Sequence, residues 1–438
     1  MAFWWDKSVE LTGVVLFRGN LPPRPEDMPD FTKLGYQTAK ADAKPGMHWR
    51  LKLGNKAGRG EIFAARQPPL PNAEMLQWIN ELTPKEREAA LLAGSAIVVR
   101  FKGSRENLLR DRKAFLRLLG VICGDDGLVA YDMTANRFWS PGALADELMH
   151  DADADVEALF NIHAIADDTK EGQALWMHTH GLAELGLFDF DLIRPHTDFA
   201  GLQRDGIRAI ALHILEGKLK VGGSPVQFAG PGIFVRAVDA ADFDRSAAAA
   251  DVAARDSARE DHLKNRAVLC DPAATGLSRF WKKSVAPSTY FQHEPDERKM
   301  LFFSNEASNL AGERAKHSFR LFRALLKDLS PLLPIQGLVK LGYVIDGGGP
   351  TDREHMWFQV EDAGEDYIDA TLAVQPFNIA RMKPGDRAKH SLDLLTDWII
   401  PTPLGNITPR NTTPARFMKE NADKLHAAMA ARAAEGDD

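Results

Sequence analysis

The feature that most constrains this chain is a break in its own pattern. From Asp239 to Ala267 it reads DAADFDRSAAAADVAARDSAREDHLKNRA, rich in alanine and charge, with no sustained apolar stripe. Such a segment cannot supply one face of a core. The 438 residues are therefore expected to divide around it, as a chain of this length usually must. The expected organisation is an N-terminal domain over 1–238, a charged helical connector over 239–290, a second domain over 291–405, and a C-terminal helix and tail over 406–438.

Both sides of the break mix strands and helices. TGVVLFRG, the hairpin-like HWRLKLGNKAGRGEIFAARQPP, SAIVVRF, DGLVAYD and NRFWSP read as strands punctuated by Gly and Pro. Between them LTPKEREAALLAG carries a capping box on Thr83 and Glu86, with Pro84 at the first helical position. In SRENLLRDRKAFLRLLG, Leu108, Phe115 and Leu119 form a stripe, with Arg105, Arg110, Arg112 and Arg117 expected on a solvated face. SPGALADELMHDADADVEALF starts at Ser140 and Pro141, and its acidic second half is expected to face water. ALFNIHAIA and ALWMHTHG read as a hairpin, followed by a short helical turn, a strand and a late hairpin over 217–240. The second domain is expected to hold one long helix from Asn305 to Leu329, then short antiparallel strands. The fold class is α+β: a mixed N-terminal domain, then a helix on a small curved antiparallel sheet or partial barrel.

Composition excludes several classes of function. Hydrophobic residues make up 45% and charged residues 26%, which is globular rather than disordered. A net charge of −7 argues against nucleic acid as the main partner. Cys123 and Cys270 are too few for a disulfide framework or a cysteine-based zinc site. The apolar run Leu11 to Phe17 lacks the basic flank of a signal peptide. No run approaches the ~20 apolar residues that span a bilayer, so a cytoplasmic protein without a membrane partner is expected.

Two stretches carry chemistry. In WMHTHG, strand alternation puts Trp176, His178 and His180 on one face. Imidazoles so placed, roughly 6–7 Å apart at Cα, can share one metal ion. A catalytic site needs a third ligand, for which Glu184, His163, Asp189, Asp191 and His196 are candidates. The competing reading is structural: the two histidines bond to backbone near a strand end, and Gly181 makes the turn. In EHMWFQV, His355 and Trp357 share one face, while Glu354, Met356 and Phe358 share the other. Neighbours on a strand point apart, so Glu354 and His355 do not form an acid–base pair. A His–Trp stripe suits a binding surface.

The run LVKLGYVIDGGGPTDREHMWFQVEDAGEDYIDATLAVQP, with KPGDRAKHSLDLLTDWII after it, resembles a bacterial family known as domain of unknown function 2314, over about residues 300–400. The residues that carry the resemblance are Val339, Lys340, Glu354, His355, Met356, Trp357, Leu372, Pro376, Gly385, Asp386, Asp397 and Trp398. Val374 and Gln375 stand where the family has Asn-Glu, and Asp369 or Ala370 where it has glycine. HTHGLAELG resembles other uncharacterised bacterial domains with a Gly-Leu-x-x-x-Gly element. Neither resemblance implies an activity.

The expected function is that of a non-catalytic binding or accessory protein with a protein partner and no cofactor. Its candidate surface is formed by His355, Trp357, Glu354 and Trp398, the last of which also reads as a buried tryptophan beside Asp397 bonding a turn. The rival is a metal-dependent hydrolase holding zinc or another divalent transition metal on His178, His180, Glu184 and His163. A third reading is a toxin-neutralising, immunity-type protein, with the acidic stretch Asp146 to Glu157 as its contact for a basic target.

Overall fold

A strand buried on both faces carries an uninterrupted apolar run rather than alternation, and TGVVLF and SAIVVRF become the central strands of such a sheet. In the computed structural model, which describes residues 8–54, 59–77, 79–169, 172–196, 202–229, 232–255, 265–272, 285–293 and 305–427, three sheets follow one another along the chain. The first contains β1 (Ser8–Arg18), β2 (Gln37–Ala41), β3 (Met47–Gly54), β4 (Arg59–Ala65), β5 (Ala93–Ser104), β6 (Gly127–Asp132) and β7 (Arg137–Trp139). Its order is β2-β3-β4-β5-β1-β6-β7.

Helices α1 (Ala73–Gln77) and α2 (Pro84–Leu91) cover one face, where Val14, Leu16, Phe63 and Val98 pack with Leu76 and Ala90. Helix α3 (Leu108–Cys123) covers the other; a Cβ on Gly13 would come within 2.8 Å of the Phe115 ring. The capping box forms as expected, with Thr83 accepting from the Glu86 N–H and Glu86 accepting from the Thr83 N–H. Helix α4 (Pro141–Leu148) starts at Ser140.

The second sheet contains β8 (Asn161–Thr169), β9 (Gly172–His180), β10 (Asp189–Ile193), β11 (Val226–Ala229), β12 (Ile233–Asp239) and β13 (Arg266–Cys270), in the order β11-β12-β13-β10-β9-β8. Helix α5 (Leu202–Leu215) packs on its inner face, and α3, α5 and the inner faces of both sheets share one core. The outer face carries Trp176, Ile193, Val268 and Phe243, the last from α6 (Ala240–Ser246), with α7 (Ala249–Ala253) and α8 (Thr289–Gln292) following.

The expected connector therefore departs from expectation. Its strand β13, buried at every residue, lies between β10 and β12, parallel to the former and antiparallel to the latter. Charge hid it, because Arg266 is buried against Asp191 rather than solvated. Residues 256–264 and 273–284 of that segment lie outside the described residues.

The C-terminal region has its own core. Helices α9 (Asn305–His317), α10 (Phe319–Leu329) and α11 (Thr413–Glu420) cover one face of an open antiparallel sheet of β14 (Leu338–Val344), β15 (Arg353–Ala363), β16 (Tyr367–Leu372), β17 (Arg387–Ser391) and β18 (Leu395–Ile399). The order is β17-β16-β15-β14-β18, so the sheet does not close, and β17 and β18 lie on opposite edges rather than pairing. The expected long helix is broken at Ser318, whose hydroxyl donates to the Arg314 carbonyl (2.7 Å) and accepts from Trp398 Nε1 (2.9 Å). Serine bonding back to the preceding turn bends helices in this way. The architecture is α+β. Among the described residues no helix is long and apolar enough to cross a membrane; the C-terminal EGDD lies outside them.

The acidic stretch after Pro141 is turned largely inward. Glu147 is buried against Arg314 of α9, which donates to both its carboxylate oxygens, and against Lys113. Asp155 is buried against Arg208, Arg416 reaches Glu86 and Asp146, and Arg410 reaches Asp397 and Glu157. Arg314 with Glu147, Arg416 with Glu86 and Asp146, and Arg410 with Glu157 link the N-terminal body to the C-terminal region, while Asp155–Arg208 lies within the first and Arg410–Asp397 within the second. The stretch from Asp146 to Glu157 is largely an internal seam and not a free contact for a basic target, although Asp151 stays exposed. Likewise Arg112, expected in water, is fully buried against Asp132.

This seam sets an acid response. Burial would raise the Glu147 carboxyl, but the Arg314 and Lys113 charges outweigh it and hold it down at about 2. Burial, reinforced by Arg314 and Lys113, pushes the imidazole of His150 down to about 3 from 6.5. Unfolding lets His150 take up a proton that the folded chain refuses, so stability falls as pH drops from about 6.5 toward 3. Glu147 adds its own loss as pH falls from about 4.5 toward 2. Thermal melts are expected to show a lower midpoint at pH 5.5 than at 7.5, and His150→Gln is expected to shrink that difference.

Candidate metal centre

Alternation along β9 sends Met177 into the core between the two N-terminal sheets and Trp176 to the outer face. His178 and His180 fall on the Trp176 side, and Trp176 stacks on His178 with ring centroids 4.3 Å apart. The antiparallel register sets His163 of β8 directly opposite His178, and Asn161 opposite His180. Directly paired residues share a face, so the hairpin brings three imidazoles together. Centroid separations are 5.5 Å for His163–His178, 4.5 Å for His163–His180 and 4.7 Å for His178–His180. One ring nitrogen from each lies within 4.8 Å of the other two.

The closest pair is His178 Nε2 and His180 Nε2, at 2.9 Å. Neutral imidazoles at that distance have one N–H donating to the other's lone pair. A cation in place of that proton would take both lone pairs. Ligand nitrogens around a tetrahedral ion with bonds of about 2.0–2.1 Å stand roughly 3.3 Å apart. The pair has to open by a few tenths of an ångström, and the third nitrogen has to close by up to about 1.5 Å. Side-chain torsions supply movements of that size. The donor set, three imidazoles with one buried and two half-buried, suits zinc and its neighbours.

The other proposed ligands are elsewhere. Glu184 is exposed and borders a recess with Ser8, Glu10 and Arg105. Asp189 is spent on the turn: it accepts from Thr179 Oγ1 (2.9 Å) and from the N–H groups of Gly181, Leu182 and Ala183 (3.3, 3.2 and 3.2 Å). Burial pushes its carboxyl up, against the opposing pull of Arg266. Asp191 is paired across the strands with His178, but its carboxylate is held by Arg255 (2.5 Å) and Arg266 (2.8 Å). His196 donates its backbone N–H to the Phe291 carbonyl, outside the cluster.

Sequence reasoning missed a neighbour of His163, Asn136. The turn between β6 and β7 packs against the end of β9 so closely that a Cβ on Gly181 (φ +124°) would fall 2.5 Å from the Leu159 carbonyl oxygen and 2.9 Å from Ala135 Cα. That turn carries Asn136 at φ 51°, a left-handed conformation that asparagine tolerates better than most residues. Its amide nitrogen lies 3.3 Å from His163 Nε2. Tyr131 donates to Asn136 Oδ1 (2.7 Å), and Asn161 Nδ2 donates to the Asn136 carbonyl (3.0 Å). A turn signal at Asn136 was readable; its aim at a histidine 27 residues on was not.

In the third sheet the expected surface is only partly assembled. Met356, Phe358 and Val360 lie in the core under the helices, while His355 is exposed and Trp357 half-buried on the outer face, with Lys340 Nζ 5.3 Å from the Trp357 ring centre. Trp398 does not belong to that surface. It is fully buried against Phe322 at 5.3 Å, with its indole N–H bonded to Ser318. Glu354 accepts from the N–H groups of Phe377 (2.7 Å) and Asn378 (2.8 Å), which fixes a loop.

Residues 305–406 match the family model described as an uncharacterized protein conserved in bacteria, DUF2314. This region is similar to the DUF2314 family. The DUF2314 match spans α9 to β18 and so takes in Glu354, His355, Trp357 and Trp398. Residues 162–236, which include His163, His178 and His180, match the C-terminal model of a protein of unknown function, DUF4026. No curated protein and no solved structure matches the chain.

Proposed function

We propose that this is a metal-binding accessory protein, in which His163, His178 and His180 hold one divalent transition-metal ion of the zinc class. The observation that carries the reading is the convergence of three ring nitrogens within 4.8 Å, from two paired strands, on one face. Three ligands leave a fourth position, which is also what a hydrolase would need. The carboxylates expected to serve it are engaged elsewhere: Asp189 by the turn and Asp191 by two arginines, with Glu184 exposed at a separate recess. That favours binding over hydrolysis. Cobalt(II) titration of the full chain tests it. One equivalent is expected to give visible bands of tetrahedral intensity, displaced by zinc. Only the weak octahedral bands of free aqueous cobalt throughout would defeat the reading.

A further inference from the structure

The lone pair of His163 already has a claimant. Asn136 stands at φ 51° in a turn pinned to the first sheet. The Met133 and Thr134 N–H groups donate to the Thr12 carbonyl (3.0 and 3.2 Å), and Thr134 Oγ1 accepts from the Thr12 N–H (2.7 Å). Tyr131 donates to Asn136 Oδ1 (2.7 Å), and Asn161 Nδ2 donates to the Asn136 backbone carbonyl (3.0 Å). With its oxygen held by the phenol, the amide turns its –NH2 end to His163 Nε2 at 3.3 Å. An amide nitrogen only donates, so in the neutral ring Nε2 carries the lone pair and Nδ1 the proton.

A metal ion cannot share that arrangement. Bound at Nε2, it takes the lone pair that the amide uses. Bound at Nδ1, it sends the ring proton to Nε2, and two N–H donors then face each other. Resting on the metal reading above, we propose that Asn136 is a latch on the site: its amide holds His163, and an ion has to displace it before the three imidazoles can close on one point. Closure asks the His163 nitrogen to travel by up to about 1.5 Å, while Asn136 is tied back through its turn to Thr12. Asn136 thus sets the affinity without being a ligand. Tyr131 acts as a positioning residue, since its O–H decides which end of the amide faces the ring.

Two measurements on full-length protein test the latch. Long-range proton–nitrogen correlation spectra of chelator-stripped protein with isotope-labelled histidine report which ring nitrogen carries the proton, with His163→Gln assigning the resonance. His163 is expected to be protonated on Nδ1. Asn136→Gly keeps the left-handed backbone and removes the amide, and is expected to show a mixture of the two tautomers. Zinc affinity is then read by competition with a chromophoric chelator. Asn136→Gly is expected to bind zinc about three- to tenfold more tightly than wild type, the worth of one hydrogen bond that loading no longer breaks. Tyr131→Phe is expected to tighten it by less. A proton on His163 Nε2 in the stripped wild type would overturn the latch while leaving the metal reading standing. So would zinc affinity in folded Asn136→Gly equal to or weaker than that of wild type. Zinc binding by neither protein would sink both.

Discussion

Arg314→Ala is expected to lower stability by about 3 kcal/mol or more, the usual cost of leaving a buried charge without its partner. Arg314 is buried, donates to both oxygens of Glu147, and gives a further bond to the Pro409 carbonyl (3.1 Å). Without it, Glu147 keeps only Lys113, at 3.3 Å. Arg314 also joins the N-terminal body to the C-terminal core, so urea unfolding followed by tryptophan fluorescence is expected to broaden or split into two transitions. Glu147→Gln added to Arg314→Ala is expected to recover none of the loss, because Lys113, buried beside Glu147, then loses its own counter-charge. A single transition with an unchanged midpoint would show that the two regions do not depend on this pair.

His178→Ala is expected to weaken zinc binding by at least about 100-fold, the upper end of what losing even a supporting contact costs a metal site. His178 is the buried member of the three and lies 2.9 Å from His180 Nε2. His163→Ala and His180→Ala are expected to follow in the same direction. Glu184→Ala and His355→Ala, which change residues away from the cluster, are expected to leave zinc affinity as it was. Competition with a chromophoric chelator measures this, with circular dichroism to confirm that the variant, which loses its stack on Trp176, is folded. Equal zinc affinity in His178→Ala and wild type would place the ion elsewhere.

Much of this was legible in the sequence because it depends on local periodicity. Period-two alternation placed Trp176, His178 and His180 on one face, and the hairpin reading made His163 a candidate partner; the register then set it opposite His178. The capping box at Thr83 and the strand pattern of the C-terminal sheet follow from equally local signals.

What was not legible depends on partners far along the chain. A buried charge looks like a surface charge until its counter-ion is known, so Arg266 hid the central strand Arg266–Cys270, and Glu147 and Asp155 read as a solvated face. Arg112 is instructive. It falls on the helical stripe of Leu108, Phe115 and Leu119, so its spacing already pointed inward, and its charge led the reading astray. Trp398 and Glu354 illustrate a related error. Both were placed on the candidate surface, but Trp398 fills the core, as its competing reading allows, and Glu354 fixes a loop.

Elemental mass spectrometry on untagged protein tests most directly whether His163, His178 and His180 hold a metal ion. Wild type is expected to retain close to one zinc or similar transition-metal ion per chain after excess zinc is added and removed, and a folded His178→Ala/His180→Ala variant is expected to retain none. Metal-free wild type, or equal metal in both proteins, would contradict it.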